Sequence, residues 1–563
     1  MQYKVAARVA VFGIALITLV SELCGAQTAA KALDLNPPDA RKVIVILRDQ
    51  LTENAPARGQ MHARAAALAE KQGPVVAQLT KLRLREIRSF KTINAFATTI
   101  STAEAEMLAS NPQVQAVVDD VPIRLRNKGR QLPEAGAGGR AQAVSSPANQ
   151  ADPSSELCNT LEPEALQLTN AAFMDTTAPQ AQTVLDGKGQ PVTGKGVKVA
   201  FIADGLDTTV QGFIRPDGSK VFIDYQNFSG DPAGAPTGGG EAFLDASSIA
   251  AQDMPNGSPL LFDISQYVNV THPLPSPCNI RIRGMAPGAS LVGLDAESSD
   301  GFTTISNFVQ AIEYAAVDDD VDVISESFGS NPFFDSGSDP ISMANEMAVR
   351  AGVTVVAGSG DGGSAGTLLS PGTDPWVISA GASTQFRFYA QTSFAAQPLA
   401  SGYLSNNISS LSSGGFAQLS PRTVDVVAPG DLSWALCSTD TALFTECTNL
   451  QFNPSPIQGN GGTSEAAPLT AGEAALIIQA YRSTHKSESP SPALVKQIVM
   501  STATDLGAPS DEQGAGLIDA LAAVNAALSI HDRFGNPAAR GDGLTISSTS
   551  AQVVSEPNTH ESQ

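Results

Sequence analysis

Short, continuous and β-branched apolar runs recur through the middle of the chain, with helical stretches such as 305–317 and 341–351 between several of them. Such runs are typical of strands that are buried on both faces of a parallel sheet. The runs are 197–202, 290–294, 321–324, 353–357, 377–380 and 424–427. Because strands alternate with helices, the pattern predicts an α/β fold at 157–530, with a doubly wound, mostly parallel sheet and helices on both faces.

A second, smaller pattern precedes this region. Residues 43–47 are typical of a buried strand, and residues 61–82 are rich in Ala, Gln, Lys and Leu, which favours a helix. The strand, helix, strand order then repeats at 90–100, 102–111 and 114–118. The pattern predicts a small α+β module within residues 40–126.

Two further segments cannot bury enough apolar surface to fold. Residues 127–156 are loaded with Gly, Ala, Pro, Ser and Gln, and are expected to form an exposed linker. Residues 531–563 are polar and lack periodicity, so we expect a disordered tail.

The N-terminus indicates the compartment. Lys4 and Arg8 precede an apolar run at 9–20, and the small residues that end at Ala26 form a cleavage site. This order is typical of a secretory signal peptide, which we place at 1–26. A membrane anchor would need roughly 20 apolar residues, so we expect a secreted protein, extracellular or periplasmic, with no membrane partner.

Four cysteines remain after such a cleavage, an even number that an oxidising compartment allows to pair. They are Cys158, Cys278, Cys437 and Cys447. Proximity in the sequence favours the bridge between the last two.

Composition narrows the class of function. The 563 residues carry 34 Lys and Arg against 56 Asp and Glu, a net charge of −22. This balance disfavours nucleic acid, whose phosphates need basic partners, and favours a protein that tolerates or works in acidic surroundings. A hydrophobic content of 42% excludes a wholly disordered chain.

A glycine-rich turn at 459–463 runs into an apolar helix and presents Ser464 near the start of that helix. The partial positive charge there stabilises developing negative charge, which suits a nucleophile. The alternative is that the Gly-Thr-Ser pattern is only a helix N-cap.

A second predicted helix opens behind three glycines and carries Glu241 and Asp245. At a spacing of i and i+4, the two carboxyls share one face of the helix. They either complement the helix dipole or, if buried, raise each other's pKa and share a proton.

Acids also follow two predicted strands. Asp361 lies in a small-residue loop behind 353–357, where it either caps a turn or, held neutral, donates a hydrogen bond to an oxyanion. Asp204 ends the strand at 197–202.

Several motifs resemble the subtilase superfamily of serine peptidases, in the order found there. They are 196–207, 283–289, 323–329, 461–468 and 501–520. The resemblance implies a subtilisin-like fold and implies that the module at 40–126 is an inhibitory propeptide, removed after folding.

The chain departs from subtilisins at the catalytic His, since the corresponding helix reads Glu241 to Asp245. None of the five histidines lies in a catalytic-looking context; they are His62, His272, His485, His531 and His560. A Glu and an Asp four residues apart resemble the sedolisins, the serine-carboxyl peptidases.

This resemblance implies residue roles. Ser464 is the nucleophile, Glu241 the general base and later acid, Asp245 its orienting partner, and Asp361, protonated, the oxyanion donor. Asp204 stands one position beyond the catalytic Asp of subtilisins, and either lines the site or only ends a strand.

Substrate contacts are implied in the same way. The segment Ser327, Phe328 and Gly329 resembles the strand that pairs with an extended peptide, and Ser359 and Gly360 lead into the oxyanion motif. Glu326, within that strand, is interpreted as a solvated acid. We expect no cofactor, and no calcium loop is recognisable at 505–519, so calcium binding stays open.

Three hypotheses result. The first is a secreted, self-processing endopeptidase with an acidic optimum, whose partners are protein or peptide substrates and its own propeptide. The second is a neutral-pH enzyme that uses Asp204 and a distant His. The third is an inactive, peptide-binding pseudopeptidase.

Overall fold

The computed structural model describes residues 39–51, 58–82, 86–124, 157–254, 258–267, 274–328, 339–392, 405–416, 422–449 and 451–530. The described strands are β1 (Arg41–Leu47), β2 (Ile87–Ser89), β3 (Ala95–Ile100), β4 (Val114–Asp119), β5 (Pro122–Arg124), β6 (Thr160–Glu162), β7 (Lys198–Ala203), β8 (Phe222–Asn227), β9 (Leu261–Asp263), β10 (Asn279–Ile282), β11 (Ser290–Asp295), β12 (Phe302–Thr304), β13 (Val323–Glu326), β14 (Thr354–Gly358), β15 (Ile378–Ser383), β16 (Val426–Pro429), β17 (Ser433–Leu436) and β18 (Ile457–Asn460).

The described α-helices are α1 (Met61–Leu82), α2 (Thr102–Ala109), α3 (Ala165–Leu168), α4 (Gly240–Ala250), α5 (Ile305–Glu313), α6 (Pro340–Arg350), α7 (Arg387–Thr392), α8 (Thr463–Thr484), α9 (Pro492–Thr502), α10 (Ser510–Gln513) and α11 (Ala520–Ser529). A π-helical turn, Tyr314–Asp318, continues α5.

A seven-stranded sheet forms the centre of the main domain, in the order β16-β15-β14-β13-β7-β11-β8. All of its strand pairs are parallel. Along β7, Val199 and Phe201 belong to one buried cluster and Ala200 and Ile202 to the other, because successive side chains point to opposite faces. The predicted parallel α/β sheet is therefore confirmed.

Helices cover both faces of this sheet. Residues of α4, α8, α9 and α11 contribute to one buried cluster, and residues of α5 and α6 contribute to the other. Helix α8 crosses the sheet, contacts β7 and β13 to β16, and packs against α4. The two helices that carry the predicted catalytic side chains are therefore neighbours.

The N-terminal module contains a four-stranded sheet, in the order β2-β3-β1-β4, with α1 and α2. Its predicted strands and helices are present within a few residues of their expected bounds. Capping explains one boundary well, since Ser101 and Glu104 form a capping box at the start of α2.

The module shares a core with the main domain. Ile44, Met61 and Phe90 of the module lie in the same buried cluster as the side chains of α5 and α6. Strand β5 pairs antiparallel with β12 of the main domain, and Asp120 accepts from the Ser306 amide at 3.0 Å, at the start of α5. The two parts are thus joined by apolar packing, a strand pair and a helix cap.

Two disulfides are present, Cys158–Cys278 and Cys437–Cys447. The second is the pair that sequence proximity favours. None of the described helices has the length and apolar character of a membrane span. The signal peptide at 1–26, the linker at 127–156 and the tail at 531–563 lie outside the described residues.

Candidate active site

Ser464 is the second residue of α8, directly after a glycine turn. Gly462 adopts φ of 108°, a conformation that side-chain-bearing residues rarely take. A Cβ at this position would also lie 2.8 Å from Asp361 Oδ2. Two requirements therefore select glycine, and the turn leaves Ser464 at the start of a 22-residue helix, partly exposed.

Asp361 caps the helix that carries Ser464. Its Oδ1 accepts from the Thr463 amide at 2.8 Å and from Thr463 Oγ1 at 3.0 Å. Asp361 lies in the loop after β14, at the edge of the sheet where the C-terminal ends of the parallel strands meet. Capping and proximity to Ser464 are thus both present, and the role of oxyanion donor stays a prediction.

Ser327 connects Ser464 with a buried carboxyl. Ser464 Oγ donates to Ser327 O at 3.4 Å, and Ser327 Oγ donates to Asp245 Oδ1 at 2.7 Å. Ser327 Oγ also lies 3.2 Å from Ser464 O. Ser327 follows β13 directly, so the end of this strand contacts both α4 and α8 at this point.

Glu241 and Asp245 lie one turn apart on α4, with Glu241 in the first turn and partly exposed. Asp245 is fully buried. Burial and the neighbouring Glu241 carboxyl raise the pKa of Asp245 well above its usual range. Within the described residues, Asp245 Oδ2 has no hydrogen-bond partner, so the neutral acid is the favoured form.

Asp204 caps the helix that carries this pair. It follows β7, and its Oδ1 accepts from the Ala242 amide at 2.7 Å. Burial, then the carboxyls of Glu297 and Glu446, and more weakly that of Glu241, raise its pKa. Asp204 therefore ends a strand and also lies beside the carboxyl pair.

Sequence reasoning missed two further carboxyls near the site. Glu465 follows Ser464 and is buried, with Ser433 Oγ donating to it at 2.6 Å and Gln385 Nε2 at 2.7 Å. Burial raises its pKa well above the usual range. Its place within the serine motif was the available signal. Glu446 lies close to the start of α4, and the sequence held no signal for it.

The predicted peptide-binding residues differ in their surroundings. The Phe328 ring is buried and stacks on Phe308, with ring centroids 3.5 Å apart. Ser359 is also buried, and its Oγ donates to Ser413 O. The Gly360 amide donates to Thr463 Oγ1 at 3.1 Å. Side chains at 328 and 359 therefore serve the fold, and Gly329 lies outside the described residues.

The interpretation of Glu326 as a solvated acid was wrong. Its side chain is fully buried, because β13 is a central strand with both faces covered. Asn345 donates to Glu326 Oε2 at 2.8 Å, and burial raises the pKa of Glu326 to about 8.

The two described histidines lie away from this site. His62 is in α1 of the N-terminal module. His485 follows the last turn of α8, at the opposite end from Ser464 and about 30 Å away at 1.5 Å per residue. His272, His531 and His560 lie outside the described residues. Among the described residues, no group of three or more His, Cys, Asp or Glu side chains is arranged to hold a metal ion.

The comparisons with known proteins all indicate the same family. A model of the subtilase family matches residues 194–516. Subtilisin DY of Bacillus licheniformis is 30% identical over 339 residues, which cover 60% of this chain and 93% of that protein. Subtilisin Savinase of Lederbergia lenta is 28% identical over 334 residues, covering 59% and 92%. Serine protease AprX of Bacillus subtilis is 26% identical over 379 residues, covering 64% and 74%.

The match of the family model begins just before β7 and includes Asp204, α4, the loop of Asp361 and the Ser464 motif. It covers more than half of the chain. This protein therefore belongs to the subtilase family, and its relatives support a serine endopeptidase.

Proposed function

We propose that the protein is a secreted, self-processing serine endopeptidase whose general base is a carboxylate and whose activity is highest at acidic pH. The observation that carries the proposal is the chain of contacts from Ser464 Oγ through Ser327 to Asp245. Glu241 lies one turn before Asp245 on the same helix. Neither described histidine is placed to act as the base.

In the proposed reaction, Glu241 accepts the hydroxyl proton while Ser464 Oγ bonds to the carbonyl carbon of the scissile peptide. Asp245 orients Glu241. The charge that develops on the carbonyl oxygen is stabilised by the Ser464 amide and by a protonated Asp361. The C–N bond breaks as Glu241 returns the proton to the leaving amine, and water then hydrolyses the ester with Glu241 again as base.

The acidic optimum rests on the proton requirements of these carboxyls. Asp361 donates a hydrogen bond only while it keeps its proton. The like charge of Glu241 and burial both favour the neutral form of Asp245. One proton shared by the pair, and one on Asp361, are easier to maintain at acidic pH.

Secretion is supported by the predicted signal peptide and by the two disulfides, which persist in oxidising compartments. The N-terminal module is proposed to act as an intramolecular inhibitor, and its contacts support that role. Glu313 on α5 accepts from the backbone amides of Lys91 and Thr92, each at 2.6 Å. Arg58 of the module pairs with Asp322 at 2.6 Å.

The catalytic assignment is tested with Glu241→Gln and Ser464→Ala, and with Asp217→Asn as an exposed control. Hydrolysis of fluorogenic peptides is measured between about pH 3 and pH 8, which brackets carboxyl and imidazole titration. We expect an acidic optimum, a loss of about 100-fold or more in both site variants, and no loss in the control.

Other outcomes separate the alternatives. A neutral optimum that survives Glu241→Gln would favour Asp204 with a distant His. No hydrolysis at any pH, with peptide binding retained, would favour the pseudopeptidase. Self-processing predicts that Ser464→Ala keeps its N-terminal module, so loss of the module from that variant contradicts it.

A further inference from the structure

A disulfide-closed loop runs along the segment that leads into α4. Cys437 and Cys447 close this loop. Thr237, just before the helix, forms a β-bridge with Phe444 of the loop. The Phe444 ring packs edge-on against Phe243 of α4, with centroids 5.7 Å apart. The loop is therefore attached to the start of the helix that carries the predicted base.

Glu446 places its carboxyl against the first turn of α4. Its amide donates to Gly238 O at 2.9 Å, and its carboxyl carbon lies 3.3 Å from the position that a Cβ on Gly238 would take. A Cβ on Gly240 would collide with the same carboxyl. Asp204 Oδ2 lies 2.5 Å from the same Cβ position on Gly238. Two carboxyls thus meet at this glycine, close to Glu241.

The carboxyl of Asp204, at the end of β7, meets that of Glu446 at Gly238. Glu241 on α4 directly follows Gly240, against which the Glu446 carboxyl lies. Glu297, in the segment after β11, acts on Asp204 as well. After burial, Glu297 and Glu446 are the largest contributions that raise the pKa of Asp204. Glu241 also raises the pKa of Asp245. A change of charge at Glu446 therefore acts directly on Asp204, and Asp204 in turn acts on Asp245.

We propose that Glu446 is a positioning residue of the peptidase site, which holds the first turn of α4, and with it Glu241, through the disulfide-closed loop. It acts on the reaction through Asp204 and Glu241, without contact with substrate. The inference rests on the proposed function, because it presumes that Glu241 handles the proton of Ser464.

The test is Glu446→Gln, which keeps the shape of the side chain and removes its charge. Asp440→Asn, an acid in the same loop that is exposed as Glu446 is, is the matched control. For both variants, kcat, KM and the pH profile of kcat/KM are measured with one fluorogenic peptide, together with Tm. A second variant, Glu446→Asp, shows whether a shorter carboxylate restores activity.

We expect Glu446→Gln to lower kcat by about 10-fold to 100-fold, the effect of a misplaced catalytic group, with KM and Tm close to those of the control. The acidic limb of the profile should move to lower pH, because a like charge is removed from beside Asp204. Glu446→Asp should recover part of the kcat and of the original profile.

A Glu446→Gln protein with the kcat and pH profile of Asp440→Asn overturns the inference. So does a variant whose only changes are a lower Tm and less active enzyme, with an unmoved profile. Failure of the proposed function is distinguishable, since Glu241→Gln would then retain activity. If Glu241→Gln is inactive and Glu446→Gln is unaffected, only the role of Glu446 is lost.

Discussion

Ser327 Oγ donates a hydrogen bond to Asp245 Oδ1 at 2.7 Å, and the backbone oxygen of the same serine accepts from Ser464 Oγ at 3.4 Å. One residue at the end of β13 therefore contacts both helices of the site. The hydroxyl of Ser327 also favours the ionised form of Asp245, since its hydrogen bond lowers the pKa of that carboxyl against the larger effect of burial.

Ser327→Ala removes this contact while leaving the backbone oxygen in place. We expect kcat to fall by about 10-fold or more, because Asp245 loses its hydrogen-bonded orientation. The alkaline limb of the kcat/KM profile should move to higher pH, since Asp245 loses the hydrogen bond that lowers its pKa and so keeps the shared proton to higher pH. Ser325→Ala, a buried serine within β13 itself, is the control. Equal profiles for the two variants would contradict the role given to Ser327.

Buried acids away from the serine make the stability of the fold depend on pH. Burial raises the pKa of Glu326 to about 8 and those of Asp295 and Asp374 to about 7. A carboxyl with a raised pKa binds its proton more tightly in the folded protein than in the unfolded chain. Its contribution is complete below the unfolded pKa near about 4, and is lost as pH rises through the folded value.

We therefore expect Tm to be higher at about pH 5 than at about pH 8, with the decline spread over the interval between the folded and unfolded pKa values. Thermal unfolding of Ser464→Ala across this range measures the effect without self-digestion. Glu326→Gln should flatten the curve, whereas Glu346→Gln, on the surface side of α6, should leave it unchanged. A Tm that rises toward neutral pH would refute the expectation.

Glu473 lies in the middle of α8, fully buried, and neither of its carboxyl oxygens has a hydrogen-bond partner within the described residues. Burial raises its pKa well above the usual range, and Asp519 adds to the effect. Glu473→Met keeps the length of the side chain and removes the polar group. We expect the free energy of unfolding to rise by about 1–3 kcal/mol, and more at neutral than at acidic pH.

Urea unfolding of Glu473→Met at two pH values measures this gain. Glu488→Met, an exposed position after the same helix, should change stability by less than about 0.5 kcal/mol. A Glu473→Met protein that is less stable than the unchanged protein would contradict the prediction, because the buried carboxyl would then stabilise the folded core.

The contact of Glu313 with the N-terminal module can be tested through activation. Glu313 is buried and accepts from two backbone amides of the module and from Thr92 Oγ1. Glu313→Ala removes these bonds. If the module is cleaved as proposed, we expect it to dissociate about 10-fold to 100-fold more readily. The lag before peptidase activity appears should shorten. Glu346→Ala, on α6 at the same face of the sheet, serves as control. An unchanged lag in Glu313→Ala would contradict the prediction.

Much of the fold could be predicted from the sequence, because strands buried on both faces leave continuous apolar runs. The apolar runs that predicted β7, β11 and β14 agree with the bounds of these strands within one or two residues. The order of strands in the sheet could not be read from the pattern, since it depends on which helix crosses which face. Glu326 shows the same limit, because an acid in a short run gives no sign of burial.

The placement of the candidate site residues could be predicted where the chemically relevant side chains and their local geometry belong to one motif, while their catalytic roles stay predictions. Ser464 behind its glycine turn, and Glu241 with Asp245 on one helix face, lie near one another through α4 and α8. Ser327 was predicted only as a peptide contact, and its bond to Asp245 spans 82 residues of sequence. Glu446 approaches α4 from a distant loop. Such contacts arise from tertiary packing and leave no periodic trace.

Helix α8 carries Ser464 at its first turn, and nearly all of its following residues to Tyr481 are buried against the central sheet. The hydroxyl proposed as the nucleophile is thus attached to a buried helix rather than to a surface loop. On heating, activity should therefore persist until the whole domain unfolds. Partial unfolding that leaves α8 packed on the sheet would not displace Ser464.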